Sequence, residues 1–289
     1  MNVAILTDML KRLGNHGNQT LEYIGVVLHK YSLADWKIYY KFNNTEQESF
    51  SVLNSDIHYR LYRELSEDLP IRMCDYSHSI MKACDNMRSL CQFPMSADYD
   101  IVEKTISGIT CIPIDLLKRL CSSVSTIHSS FPAQFSPLIQ LGIETDMNGK
   151  LQEIKYYLNL KTDYSVHPVL DEDLLKKLEI LHGISVSEYE SLFDTFDILR
   201  SNSYYPTFIG VNNSLDHVEY KLYFISSLFG RRLQNEYQAQ NQSLISQLTT
   251  NKTTLSFLDA LNHNHLWLEG IAVSFSDPDV LRLYWRELE

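Results

Sequence analysis

The sequence predicts an α+β fold in which an antiparallel sheet closes into a β-barrel with its helices outside. Three observations predict it: a hairpin motif that recurs four times, apolar/polar alternation along the second strand of each copy, and helix-like stretches between the copies. In each copy a short apolar strand containing glycine is followed, about a dozen residues on, by a strand reading basic, any residue, Tyr.

The copies are Tyr23-Ile24-Gly25-Val26 leading to Lys37-Ile38-Tyr39, Leu141-Gly142-Ile143 leading to Lys155-Tyr156-Tyr157, Ile209-Gly210-Val211 leading to Lys221-Leu222-Tyr223, and Glu269-Gly270-Ile271 leading to Arg282-Leu283-Tyr284. A single basic-x-Tyr triplet is weak evidence, and Arg60-Leu61-Tyr62 is another, in a stretch that reads as helix. The weight lies in the matched distance from glycine. Turn residues sit between the strands at Met147-Asn148-Gly149, Asn212-Asn213-Ser214 and Ser276-Asp277-Pro278.

A strand's side chains alternate between faces, so each second strand separates two surfaces. One carries Trp36, Ile38, Tyr40 and Phe42; Ile154, Tyr156, Leu158 and Leu160; Tyr220, Leu222 and Phe224; Leu281, Leu283 and Trp285. That face requires burial. The other carries Lys37, Tyr39 and Lys41; Lys155, Tyr157 and Asn159; Lys221 and Tyr223; Arg282, Tyr284 and Arg286. Helical stretches are expected at Ile71 to Leu90, Asp115 to Ile127, Asp171 to Leu181, Ser187 to Arg200 and Arg231 to Leu261. If these cover the apolar face, the basic and tyrosyl face lines the lumen, which in a barrel of eight or more strands has room for a ligand. The 289 residues, 44% hydrophobic, are read as a single domain over 1–289.

The net charge of −11 excludes nucleic acid as a partner, since phosphate binding requires a basic surface. Met1 to Gly14 lacks a signal peptide's apolar core and no window is long and apolar enough to span a bilayer, so a cytoplasmic protein without membrane contact is expected. The five cysteines show no metal-ligand spacing, and the ten scattered glycines form no phosphate loop. His263-Asn264-His265 lacks a third ligand, and Cys74, Asp75 and His78 lack a visible base and oxyanion partner.

Cations converging in a lumen, with no acids expected on the same strand faces to offset them, call for an anionic guest. A diphosphate suits lysine point charges and the arginine fork, and tyrosine π faces can shield a developing carbocation. With these residues in place, the chain resembles the ABBA prenyltransferases, whose barrel is built of repeated α-β-β-α units. The opening Thr20-Leu21-Glu22-Tyr23 is most similar to the cyanobactin peptide prenyltransferases, a branch that modifies ribosomally made peptides. The resemblance covers residues from about 18 onward through short patterns.

It implies that Lys37, Lys155, Lys221 and Arg282 bind the diphosphate, with Mg2+ held through that group. It also implies that Tyr39, Tyr157, Tyr223 and Tyr284 shield the cation and that Glu22 is the general base. Alternation from Gly25 puts Glu22 on the opposite face, so this role needs a β-bulge; Glu144 and Glu269, beside other strand glycines, are the alternatives. The implied reaction moves a dimethylallyl or geranyl group from its diphosphate to a nucleophilic side chain of a cyclic or linear peptide. A free indole or phenol acceptor, a non-catalytic barrel for an anionic lipid-like ligand, and an interaction module with solvated Lys/Tyr faces are the other readings. The family has five hairpins; the fifth is expected between Gln47 and Phe135, and no Asp-Asp-x-x-Asp metal box occurs.

Overall fold

Among the residues that the computed structural model describes, ten strands pair in sequence order around a closed antiparallel barrel. Those residues are 19–42, 71–79, 84–92, 108–110, 112–130, 135–146, 148–160, 189–214, 218–227, 234–263, 266–275 and 277–287, with 57, 60 and 104. The strands form five hairpins: β1 (Gln19–His29) with β2 (Ser32–Phe42), β3 (Ile71–Ser79) with β4 (Cys84–Gln92), β5 (Phe135–Asp146) with β6 (Leu151–Leu160), β7 (Tyr204–Ser214) with β8 (Val218–Ser226), and β9 (Leu266–Ser274) with β10 (Val280–Glu287). Helix α1 (Ile114–Ser130) precedes the third hairpin, α2 (Tyr189–Ser201) the fourth, and α3 (Gln234–Leu248) and α4 (Lys252–His263) the fifth. Pairing of β1 with β10, from Ile24 opposite Trp285 to His29 opposite Val280, joins the two ends of the sheet.

The outer face of the sheet carries the core. Ile24, Val26, Trp36, Ile38, Ile154, Tyr156, Leu222, Phe224, Leu283 and Trp285 are buried there in one cluster with Leu116 and Leu117 of α1, Leu192, Phe196 and Leu199 of α2, Leu244 of α3, and Phe257 and Leu258 of α4. Ring contacts tie helix to strand, with centroids 5.5 Å apart for Trp36 and Phe257 and 5.2 Å for Phe196 and Phe224. Each such side chain contributes about 1.5–3 kcal/mol on leaving water, so the helices are held by the alternation already visible in the strands.

Local chemistry sets the connections. Lys30 and Tyr31 both have positive φ, which gives the first hairpin a two-residue turn whose twist matches its strands. Gly149 has φ 76° in the third hairpin, where the Asp146 carboxylate accepts hydrogen bonds from the amides of Asn148 and Lys150. The expected helical run Arg231 to Leu261 is two helices, because Asn251 Oδ1 accepts from the amides of Thr253 and Thr254 and starts α4.

Two expectations are corrected. Ile71 to Leu90 is not a helix: it supplies the second hairpin, β3 and β4, the one that no motif copy marks and that is expected between Gln47 and Phe135, and its backbone groups satisfy the edges that β2 and β5 would otherwise expose. Asn212-Asn213-Ser214 is not a turn but the end of β7, with Asn213 opposite Val218. Both asparagines are buried, and Asn213 donates to the Leu116 carbonyl of α1, so the strand continues through them. The expected helix Asp171 to Leu181 lies outside the described residues.

Two of the four motif glycines, Gly25 and Gly210, are seats for tyrosine rings. A Cβ on Gly25 would stand 3.0 Å from Tyr39 Cε2, and one on Gly210 would stand 2.6 Å from Tyr223 Cε2 and 3.2 Å from Tyr157 Cδ1. In these two copies the Gly-to-basic-x-Tyr pattern is one packing unit, a missing side chain filled by a ring from the neighbouring strand, whereas a Cβ on Gly270 would stand 2.8 Å from Ile225 Cδ1 and 3.1 Å from the Phe224 carbonyl oxygen. Gly210→Ala is expected to cost about 1–3 kcal/mol through overpacking, measurable by urea unfolding. Gly25→Ala, with more clearance, should cost less.

Candidate active site

One side of each hairpin is bulged where the site lies. Register shifts place extra residues at Glu22 in β1, Ile139 in β5 and Thr207 in β7, each three residues before the motif glycine, and at Glu269 in β9. Bulges suspend alternation and re-aim side chains. The residues that follow them, Tyr23, Gln140 and Phe208, line a cavity of about 290 Å³ with Glu269 and Gly270. The rest of the wall is Tyr39, Arg88, Leu90, Tyr157, Tyr223, Ile225 and Tyr284.

The cavity floor is an aromatic layer. Tyr223 stacks on Phe208 with centroids 4.5 Å apart and on Tyr284 at 6.1 Å, while Tyr157 meets Tyr223 edge-on at 5.6 Å. Tyr39 completes it, with the Arg88 guanidinium 5.2 Å over its ring. The four tyrosines predicted as a shield are thus all on this cavity.

The predicted cations lie two residues earlier on the same strands, about 6.5 Å from the rings. Opposed residues share a face, and the register sets Lys37 beside Gly25, Lys155 between Gly142 and Asn212, Lys221 between Gly210 and Ser274, and Arg282 between Ala272 and Val27. Here the expectation of an uncompensated ring is corrected. Lys155 is paired with both Glu144 and Glu153, the latter at 2.8 Å; Lys221 lies 2.6 Å from Glu219, which also holds Arg282 at 3.1 Å. These acids stand on the same inward face, because Glu153 and Glu219 each precede a motif lysine by two residues.

Two solved structures share this architecture. AnaPT from Neosartorya fischeri matches with TM-score 0.56 and 12% identity over 96% of this chain and 82% of its own. The NotF prenyltransferase matches with TM-score 0.53 and 9% identity over 92% of this chain and 80% of its own. The chain shares the fold of these two proteins. No protein-family model and no curated protein sequence matches the chain.

Within this barrel the electrostatics divide the site. Burial would raise the Glu144 carboxyl, but Lys155, with Lys37 and Arg88, overrides it and holds the group well below the usual carboxylate range. Burial would likewise lower Lys155, and Glu144 and Glu153 together lift it well above an ordinary lysine. Lys221 goes the other way. Burial first, then the Arg282 guanidinium, pull it down to about 8 despite Glu219 and Glu153. Burial also raises Tyr223 and Tyr284, so both rings remain neutral phenols.

Two groups in the ionic layer await a partner. Arg282 Nη1 is a buried donor with no hydrogen bond, and Asn212, 2% exposed between Lys155 and Glu219, has a buried Oδ1 likewise without one. A magnesium ion bound by protein carboxylates does not fit this layer, since Glu144, Glu153 and Glu219 are each engaged by lysine or arginine. Glu22 occupies the bulge its proposed role requires; it is half-buried beside Tyr23 and outside the cavity lining. Arg88 was not legible as a site residue. The triplet Arg88-Ser89-Leu90 takes the place of basic-x-Tyr in the second hairpin, with Leu90 opposite Gly142, so a search for tyrosine passes over it. Among the described residues no helix is long and apolar enough to cross a membrane.

Proposed function

We propose that this protein transfers a prenyl group from an allylic diphosphate to a nucleophilic acceptor. The observation that carries the reading is the stacking of two layers inside one barrel, an aromatic-floored cavity above a buried cationic layer. Five described cations, Lys37, Arg88, Lys155, Lys221 and Arg282, face three carboxylates there, and the Arg282 Nη1 donor points to an oxygen-rich anion.

The diphosphate binds among Lys155, Lys221 and Arg282 with its allyl chain directed over the rings. The C1–O bond breaks with its electron pair leaving on the diphosphate, where the cations stabilise the new charge. The allyl cation lies against Tyr157, Phe208, Tyr223 and Tyr284, whose faces stabilise it and exclude water. An electron pair of the acceptor forms the bond to carbon, and the proton it releases passes to a carboxylate. The resemblance assigns that role to Glu22. Magnesium, as the counter-ion of the diphosphate, would be held through the diphosphate oxygens and would supply charge for the leaving group.

The peptide acceptor rests on the likeness of Leu21-Glu22 to the peptide-modifying branch; a free aromatic acceptor is equally compatible with the barrel. Incubation with dimethylallyl or geranyl diphosphate and either pooled cyclic and linear peptides or tryptophan and simple phenols, read by mass spectrometry, tests both. A prenyl adduct in one acceptor class supports transfer and names the class. Saturable diphosphate binding without any adduct would instead make the protein a carrier.

A further inference from the structure

Resting on the prenyl-transfer reading, we propose that Glu269, not Glu22, takes the proton that the acceptor loses. Glu269 is the extra residue of the β9 bulge, so Gly270 and Glu269 both face the cavity. The Leu268 carbonyl beside it accepts hydrogen bonds from the phenols of Tyr204, at 2.8 Å, and of Tyr237. Tyr204 is the first residue of β7 and Tyr237 belongs to α3, so the bulge is braced from two other elements. A side chain on such a braced bulge is held in place.

The groups around Glu269 suit a base. The Tyr23 phenol of β1 donates a hydrogen bond to it, Arg286 of β10 lies 4.0 Å from Oε1 and 5.5 Å above the Tyr23 ring, Tyr237 of α3 feels its charge, and the Glu22 charge also acts on Tyr23. Burial raises the Glu269 carboxyl above its ordinary value, and Arg286 and the Tyr23 hydrogen bond restrain that rise. A carboxylate made more basic and placed on the wall is a better proton acceptor than one of ordinary strength. Proton balance is simple: as the acceptor bonds to C1, its X–H or ring C–H electron pair stays with the acceptor and the proton moves to a Glu269 oxygen. Tyr23 and Arg286 are positioning residues, which set the orientation and basicity of that oxygen.

The test compares Glu269→Gln, Glu22→Gln and Tyr23→Phe in the full chain, with kcat across pH and calorimetric affinity for an unreactive thio-analogue of the donor. Glu269→Gln is expected to lower kcat about a hundredfold, a typical general-base effect, with analogue affinity within twofold of wild type. Loss of the acidic limb in Glu22→Gln, with its survival in Glu269→Gln, would return the proton to Glu22. Tyr23→Phe removes a hydrogen bond that favours the carboxylate, so the acidic limb of the kcat profile should move to higher pH. A Glu269→Gln enzyme that keeps its rate and acidic limb, or a Tyr23→Phe profile that does not move, overturns the assignment. Absence of any transfer by the wild-type protein defeats the underlying reading instead, so the two failures are distinct.

Discussion

Lys155→Met is expected to lower the stability of the barrel by about 3–5 kcal/mol, because it strips a buried cation from two carboxylates. Lys155 is 14% exposed and its partners Glu144 and Glu153 are 10% and 21% exposed, so water repays little of the loss. Urea unfolding measures it. Glu144 titrates below its unfolded value in the wild-type fold, so its ionised form adds stability that is present in full above the unfolded pKa and disappears as pH falls through the folded one. Without Lys155 the burial is opposed by the charges of Lys37 and Arg88 and by the Asn86 Nδ2 hydrogen bond, a weaker set, so the carboxyl should rise and the loss be smaller at pH 5 than at pH 7. Adding Glu153→Gln should restore part of the stability. A single variant as stable as wild type at pH 7 would show that the Lys155 pairs are not buried in solution.

Arg282→Met is expected to weaken binding of the thio-analogue roughly ten- to a hundredfold, the value of a charge-assisted contact at about 1.5–3 kcal/mol. It also carries a proton signature. Lys221 near 8 is held down by burial and by Arg282, and an incoming diphosphate should lift it, so wild-type binding above pH 8 should take up a proton and weaken as pH rises. In Arg282→Met that repulsion is gone while the burial remains, so Lys221 should rise and hold its proton more fully, and the uptake at pH 8.5 should shrink. Calorimetry in buffers of different ionisation enthalpy reads this directly. Equal affinity and equal uptake in both proteins would place the anion elsewhere.

Most of the barrel was legible because its two faces obey one rule at short range. Alternation along β2, β6, β8 and β10 identified the buried face, and four glycines about a dozen residues before basic-x-Tyr located four hairpins. The hairpin β3–β4 was hidden because its counterpart of the motif reads Arg88-Ser89-Leu90 and Asp75, opposite Arg88, stands in the row of the glycines. The cationic ring was only half legible. A search built on basic-x-Tyr stopped at the lysine and ignored the residue two positions earlier, although the same period of two put Glu153 and Glu219 on the lumen side. Bulges left no trace in the pattern either, since one extra residue breaks periodicity without any characteristic residue type; Glu269 was visible only as a carboxylate beside a glycine.

The pairing of β1 with β10 has a consequence for biosynthesis. Ile24 must wait for Trp285, and at about 5–20 residues per second of translation the wait is roughly 15–50 s. Throughout that interval the nascent chain presents an unsatisfied row of amides and carbonyls along its first hairpin, so the final strand acts as the seam that ends its exposure to neighbouring ribosome products.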